Sequence, residues 1–292
     1  MTSRRGDRGT PGTQSTPGTA GTGSQESTVT PPTPPAPSAP LDLTPAPGAA
    51  SLRGMVLAQT GAEVRATLRN GEQFLLTLII PVLLLVGFSA APLVNVGGGS
   101  RVDFITPGVL ALAVMSTAFT GQAIATGFER RYGVLKRLGA TPLSRTGLML
   151  AKTLAVIAVE VVQVALIGGV AIALGWRPAG SAPAALVLIL LGTAAFSGMG
   201  LLMAGTLRAE ATLAGANLVY LILLGCGGVV FPLAVFPDSV EPMLRLLPIT
   251  ALTGGLRSAL GDGGGLPLGP VLVLVVWAAL SLGLASRTFR WE

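Results

Sequence analysis

The chain has 292 residues, half of them apolar and only 11% charged, with a formal net charge of +6. A soluble domain carries about twice that charged fraction, so the composition implies a polytopic α-helical membrane protein. There is no histidine and a single cysteine, Cys226. Histidine-ligated zinc or haem sites, Ser-His-Asp triads and an intrachain disulfide are thereby excluded.

Residues 1–50 hold ten prolines, ten threonines and seven glycines. Such a segment cannot bury enough apolar surface to offset its ordering entropy, so a disordered tail is expected there, followed by one membrane domain over 51–292. In the tail Arg4, Arg5 and Arg8 are balanced by Asp7, Glu26 and Asp42. The basic excess therefore lies beside the apolar runs and not in a patch suited to nucleic acid. No apolar core follows Arg4 and Arg5, so the first span is expected to act as the insertion signal.

From Leu52 to Asn70 charged and apolar residues mix at helical spacing, which predicts a helix lying in the membrane interface and ended by Asn70-Gly71. Six spans follow at about Phe74–Ala91, Ile105–Gly127, Thr153–Leu174, Pro183–Leu207, Ala211–Phe231 and Leu266–Ala285. Each is long enough to cross roughly 30 Å of hydrocarbon, and Pro81 is expected to kink the first. With the N-terminus inside, twelve Lys and Arg residues fall on the cytoplasmic side and four on the other. The positive-inside rule then places both termini in the cytoplasm. No internal repeat of the kind that marks inverted-repeat transporters is evident.

Between spans two and three lies a dense basic stretch, Phe128 to Pro142. At about 100° per residue, Glu129, Arg130, Lys136 and Arg137 share one side of a helix, with Tyr132, Val134, Leu135 and Leu138 on the other. Gly139 is a good stop, and Thr141-Pro142 keeps the helix from continuing. A short amphipathic helix at the cytoplasmic face is the expectation. The residues alone leave open whether it docks a protein or lies on anionic lipid.

Phe231 to Gly265 is too apolar for open water and is broken by Pro232, Pro237, Pro242 and Pro248. Two short helices, about Val240–Leu247 and Ile249–Leu260, tucked against the outer side of the bundle would satisfy the backbone. Pro248, Thr250 and Arg257 are candidate residues of an outer gate, the alternative being a structural plug. Within the spans, Glu160 stands out. A carboxylate at that depth costs about 2.5–3.5 kcal/mol on insertion scales, so it needs a polar partner, a watery cavity or a proton. Gln163 is one turn on, and Asn217 with Tyr220 repeats the spacing in span five. These four are candidates for a translocation path or, equally, for interhelical packing. Gly200 with Ala204, and Ala211 with Gly215, have the spacing of close helix packing.

The string Glu129-Arg130-x-x-Gly133-x-Leu135-Lys136-x-Leu138-x-x-Thr141-Pro142 resembles the cytoplasmic signature of ABC-2 type transporter permeases. Pro81, Leu247-Pro248-Ile249-Thr250, Leu256-Arg257 and Gly261 also suit that family, and the resemblance extends over residues 51–292. It implies that Glu129, Arg130, Arg131, Gly133, Leu135, Lys136, Arg137, Leu138, Thr141 and Pro142 form a coupling helix seated in a groove of an ATP-binding subunit. With Arg131 and Lys136-Arg137 the segment resembles the drug-exporter branch typified by daunorubicin resistance permeases. Many relatives carry an acidic residue where Arg131 or Lys136 stands, which changes the charge pairing with the partner.

The resemblance further implies a second permease copy or a related permease beside this chain in the cell membrane, two ATP-binding subunits, and short outer helices capping the exit side. ATP and magnesium belong to the partner, because the phosphate-cradling pattern G-x-x-x-x-G-K-[ST] is missing here. Lys152-Thr153 follows Ala151 at the start of a span and is no such loop. The expected role is the non-enzymatic membrane subunit of an exporter of lipophilic small molecules or lipids. The alternative is a stand-alone proton-coupled transporter using Glu160.

Overall fold

The computed structural model describes residues 50–90, 100–229, 233–261 and 265–288. The tail expected over 1–50 lies outside the described residues but for Ala50. Among the described residues all regular structure is helical and there is no strand.

Helix α1, Leu52–Arg69, is opened by Ser51, whose Oγ accepts from the Gly54 amide at 3.3 Å, and closed at Asn70. Helix α2, Gly71–Ala90, carries Pro81 inside it. The axes of Leu52–Arg69 and Phe74–Ala90 differ by 70°. Span two is longer than expected. It runs unbroken from Arg101 to Arg131 as α3 (Arg101–Val114), a π-helical segment (Met115–Gly121) and α4 (Gln122–Arg131). A short α5, Val134–Gly139, leads to α6, Arg145–Ala173, which starts two turns before the span anticipated at Thr153. The capping Oγ of Ser144 accepts from the Gly147 amide at 3.1 Å and explains that early start.

Helices α7 (Ala182–Thr206) and α8 (Ala209–Cys226) form spans four and five, the latter ending five residues before the anticipated Phe231. A 3₁₀ turn at Leu233–Val235, then α9 (Glu241–Arg245) and α10 (Pro248–Leu260), supply the short helices anticipated after span five. Helix α11, Leu268–Thr288, is the last span. Among the described residues, five helical segments are long and apolar enough to cross a bilayer, and the bent α1–α2 pair supplies a sixth candidate. The protein is an all-α polytopic membrane protein.

Two apolar clusters hold the bundle. The larger joins α3, the π segment, α7 and α10 through Leu112, Phe119, Leu188, Phe196, Leu252 and Leu256. The smaller joins α1, α5, α6, α7 and α11 through Val56, Leu135, Leu148, Leu201 and Ala285. Leu218, Leu221, Leu272 and Leu280 on α8 and α11 point outward, as apolar side chains do where the surrounding solvent is hydrocarbon. At Gly200 an added Cβ would stand 2.8 Å from the Phe119 carbonyl oxygen. Only a glycine lets α7 lie that close to the π segment. Ala211 is exposed on α8, so the Ala211/Gly215 pair does not share that packing role within the chain.

Candidate functional site

The elbow between spans two and three is built by one glycine. The Tyr132 amide donates to the Phe128 carbonyl at 2.9 Å and extends the last turn of α4. Gly133 then adopts φ 71°, a left-handed conformation that costs other L-residues about 1–2 kcal/mol. The chain turns there, and α5 runs for only six residues. Thr141 Oγ1 donates to the Leu138 carbonyl at 2.6 Å and closes the turn into α6. The single amphipathic helix expected over 129–139 is therefore two pieces, because the glycine breaks it after Tyr132.

That break re-sorts the side chains. Leu135 has 0% exposure and sits in the smaller core cluster, with Leu138 packed against it. Tyr132 is 67% exposed, and Val134, Lys136 and Arg137 also face outward. The anticipated grouping of Tyr132, Val134, Leu135 and Leu138 on one apolar side is corrected accordingly. Leu135 and Leu138 anchor the elbow to its own bundle. Thr141 and Pro142 are exposed in the turn that follows.

Glu129, Arg130 and Arg131 belong to span two and are engaged by neighbouring helices. Lys152 of α6 is 4% exposed, with Nζ 2.7 Å from Glu129 of α4 and 2.9 Å from Glu63 of α1. Arg131 pairs with Glu210 in the first turn of α8, and Arg130 donates to the Leu207 carbonyl in the α7–α8 connection. Three helices thus meet at a buried ammonium directly behind the elbow, while Arg131 reaches a fourth and Arg130 the connection before it. Lys152, expected at a span entrance on the cytoplasmic side, is a buried group of α6. A buried charge stays only where it is paired, and the two carboxylates meet that need.

Deeper in the bundle, Glu160 is 2% exposed and accepts from the Thr193 hydroxyl. Gln163 accepts from Thr117 of the π segment at 3.0 Å and donates to the Thr77 carbonyl at 3.0 Å. Ser197 donates to Gln122 at 2.7 Å. Glu160 and Gln163 thus connect α6 to α7, to the π segment and to α2. The second pair differs. Asn217 is exposed and spends its amide on the Leu213 carbonyl of its own helix at 2.9 Å, while Tyr220 is half-buried. Thr193, Thr117, Gln122 and Ser197 were not singled out from sequence. Gln122 was visible as a polar residue in an apolar run, whereas threonine and serine in spans often bond only their own backbone.

At the other end, Pro248 opens α10 and is buried, as is Thr250. Arg257 donates to the carbonyls of Gly228, Val229 and Phe104 at 2.8, 3.0 and 3.2 Å, and its guanidinium lies 3.7 Å from the Phe104 ring centre. It ties α10 to the end of span five and the start of span two. Burial pulls its pKa down to about 10, so it stays cationic at neutral pH.

A family model described as ABC-2 type transporter matches residues 56–260, from the second turn of α1 to the end of α10. The chain belongs to that family. No curated protein matches it. The elbow, the Lys152 cluster and the Arg257 staple all fall inside the ABC-2 region, and only α11 lies beyond it. Members are transport subunits of the membrane that work with ABC ATP-binding subunits.

Proposed function

We propose that the chain is the membrane half of an ATP-binding cassette exporter, placed in the cell membrane with both termini cytoplasmic, and that two ATP-binding subunits grip two copies of its elbow. The supporting observation is the division of the elbow into an anchored and an offered side. Leu135 and the Glu129–Lys152–Glu63 cluster fix it to the bundle, and Tyr132, Val134, Lys136 and Arg137 face outward at its tip. A push on the tip cannot be absorbed by a loose loop, because α5 follows α4 directly and its Leu135 is fully buried in the apolar cluster that α1, α6, α7 and α11 share. It passes to the cytoplasmic ends of those helices. ATP and magnesium are bound by the partner, where hydrolysis supplies the work.

The cargo suited to this bundle is a lipophilic small molecule or lipid, as in the drug-exporter branch that the basic Arg131 and Lys136-Arg137 resemble. The outer helices α9 and α10, with Pro248, Thr250 and Arg257, serve as the exit cap. Glu160 and Gln163 contribute a polar patch within each copy beside the path, while Asn217 and Tyr220 on α8 can meet cargo or the second copy.

The test is ATP hydrolysis by the candidate ATP-binding subunit with and without the purified chain. Stimulation is expected, and Tyr132→Asp with Val134→Asp should abolish it while leaving the fold intact. Undiminished stimulation by that double variant contradicts the docking role.

A further inference from the structure

Span two carries the elbow at one end and a cavity at the other. Its 31 residues run unbroken from Arg101 to Arg131, about 45 Å at 1.5 Å per residue. The two features therefore lie at opposite faces of a bilayer. The cavity measures about 110 Å³, opens to the surface, and is lined by Asp103, Pro107, Trp176, Arg177, Arg257 and Leu260 among others.

Its chemistry is uneven. Two guanidinium groups and one carboxylate give a local charge of +1. None of the ion pairs among the described residues engages Asp103, Arg177 or Arg257. Arg257 spends three of its five N–H groups on carbonyls, which leaves two. Asp103 and Arg177 are exposed side chains, free to close on an occupant, and the Trp176 side chain is a buried wall. Asp103 lies in the first turn of α3, Arg257 in the last turn of α10, and Trp176 just past α6. Helix ends bearing tryptophan and charge mark the headgroup level of a bilayer.

We propose that this cavity binds a phosphorylated amine, its phosphate held by Arg177 and the remaining N–H groups of Arg257 and its ammonium facing Asp103. Guanidinium forks match phosphate oxygens in geometry and charge. Asp103 would repel a bare, doubly charged phosphate, whereas an ammonium group on the same ligand neutralises it. The chemistry is shared by a phosphatidylethanolamine headgroup and by soluble phosphoethanolamine. It does not depend on the ATP-binding partner.

The experiment is calorimetric titration of the purified full chain in neutral detergent. The probes are dihexanoyl phosphatidylethanolamine, dihexanoyl phosphatidylglycerol, O-phosphoethanolamine and inorganic phosphate. Saturable binding of the ethanolamine lipid in preference to the glycerol lipid is expected. Arg177→Ala should weaken it about tenfold, the scale of one charge-assisted hydrogen bond, and Arg177→Lys should restore part of it. Asp103→Asn should remove the preference between the two lipids. Both side chains are exposed, so the variants should unfold at the wild-type temperature, which is measured alongside. Binding of the lipid alone assigns the site to the membrane, and equal binding of O-phosphoethanolamine assigns it to a soluble ligand. Absence of saturable binding by any probe overturns the proposal. So does unchanged affinity in Arg177→Ala, or inorganic phosphate binding as tightly as the amines.

Discussion

Lys152 Nζ lies 2.7 Å from the Glu129 carboxylate, joining the third span to the last turn of the second with only 4% of the lysine exposed. Glu63 completes the cluster from α1 at 2.9 Å. Removing the ammonium leaves two carboxylates facing each other in a mostly buried pocket. Breaking a buried pair in this way costs about 3–5 kcal/mol, and the partial exposure of both glutamates sets the expectation near the lower figure. Lys152→Met should therefore lower thermal stability in detergent strongly. Adding Glu129→Gln and Glu63→Gln should recover much of the loss, since no like charges then remain.

Gly133 turns the chain at φ 71°. Gly133→Val should cost about 1–2 kcal/mol through the left-handed backbone alone. Gly133→Asn should cost less, because asparagine visits that region more readily. The valine variant is expected to insert and assemble yet stimulate a partner ATPase poorly, a separation read by comparing helicity with hydrolysis.

How much of this was legible in the sequence divides by the kind of signal. Apolar runs placed the spans to within a few residues for α7 and α11, because hydropathy over twenty residues leaves little choice in lipid. Periodicity misassigned the elbow, since it assumes an unbroken helix and Gly133 interrupts it. The burial of Lys152 had no such signal, because its partners stand 23 and 89 residues away and no local pattern announces such a meeting. The π segment Met115–Gly121 likewise carries no sequence signal. Its extra residue per turn is accommodated by tertiary contacts such as Gly200 against Phe119.

Gly200→Ala tests that packing. The new methyl would stand 2.8 Å from the Phe119 oxygen and 3.2 Å from the Ala118 oxygen, both backbone atoms that cannot swing aside. Overpacking of this sort costs about 1–3 kcal/mol. A lowered unfolding temperature is expected, against no change for Gly269→Ala, where an added Cβ meets nothing within 4 Å.

Arg257 satisfies three backbone carbonyls from two other parts of the chain. Arg257→Ala should destabilise by at least about 3 kcal/mol, since each buried acceptor left unpaired costs about 1–3 kcal/mol. Arg257→Lys should recover only part, a lysine being unable to span the same fork. Thermal unfolding of the two variants checks the order.

Glu160 offers a test between packing and proton handling. A glutamine keeps an acceptor for the Thr193 hydroxyl. Glu160→Gln should hold stability within about 1 kcal/mol and retain ATP-driven transport in vesicles. Transport by the chain alone on a proton gradient, abolished by the same change, would instead favour the secondary-transporter reading.

The proposed function requires the elbow to be a cytoplasmic handle held by a separate ATPase. Cys226 is the only native thiol, so Arg137→Cys in a Cys226→Ala background places one reporter at the elbow's tip. In right-side-out vesicles this thiol should resist a membrane-impermeant maleimide and should cross-link to the ATP-binding subunit from inside. Ready labelling from the outer face, with no cross-link to that subunit, would contradict that role.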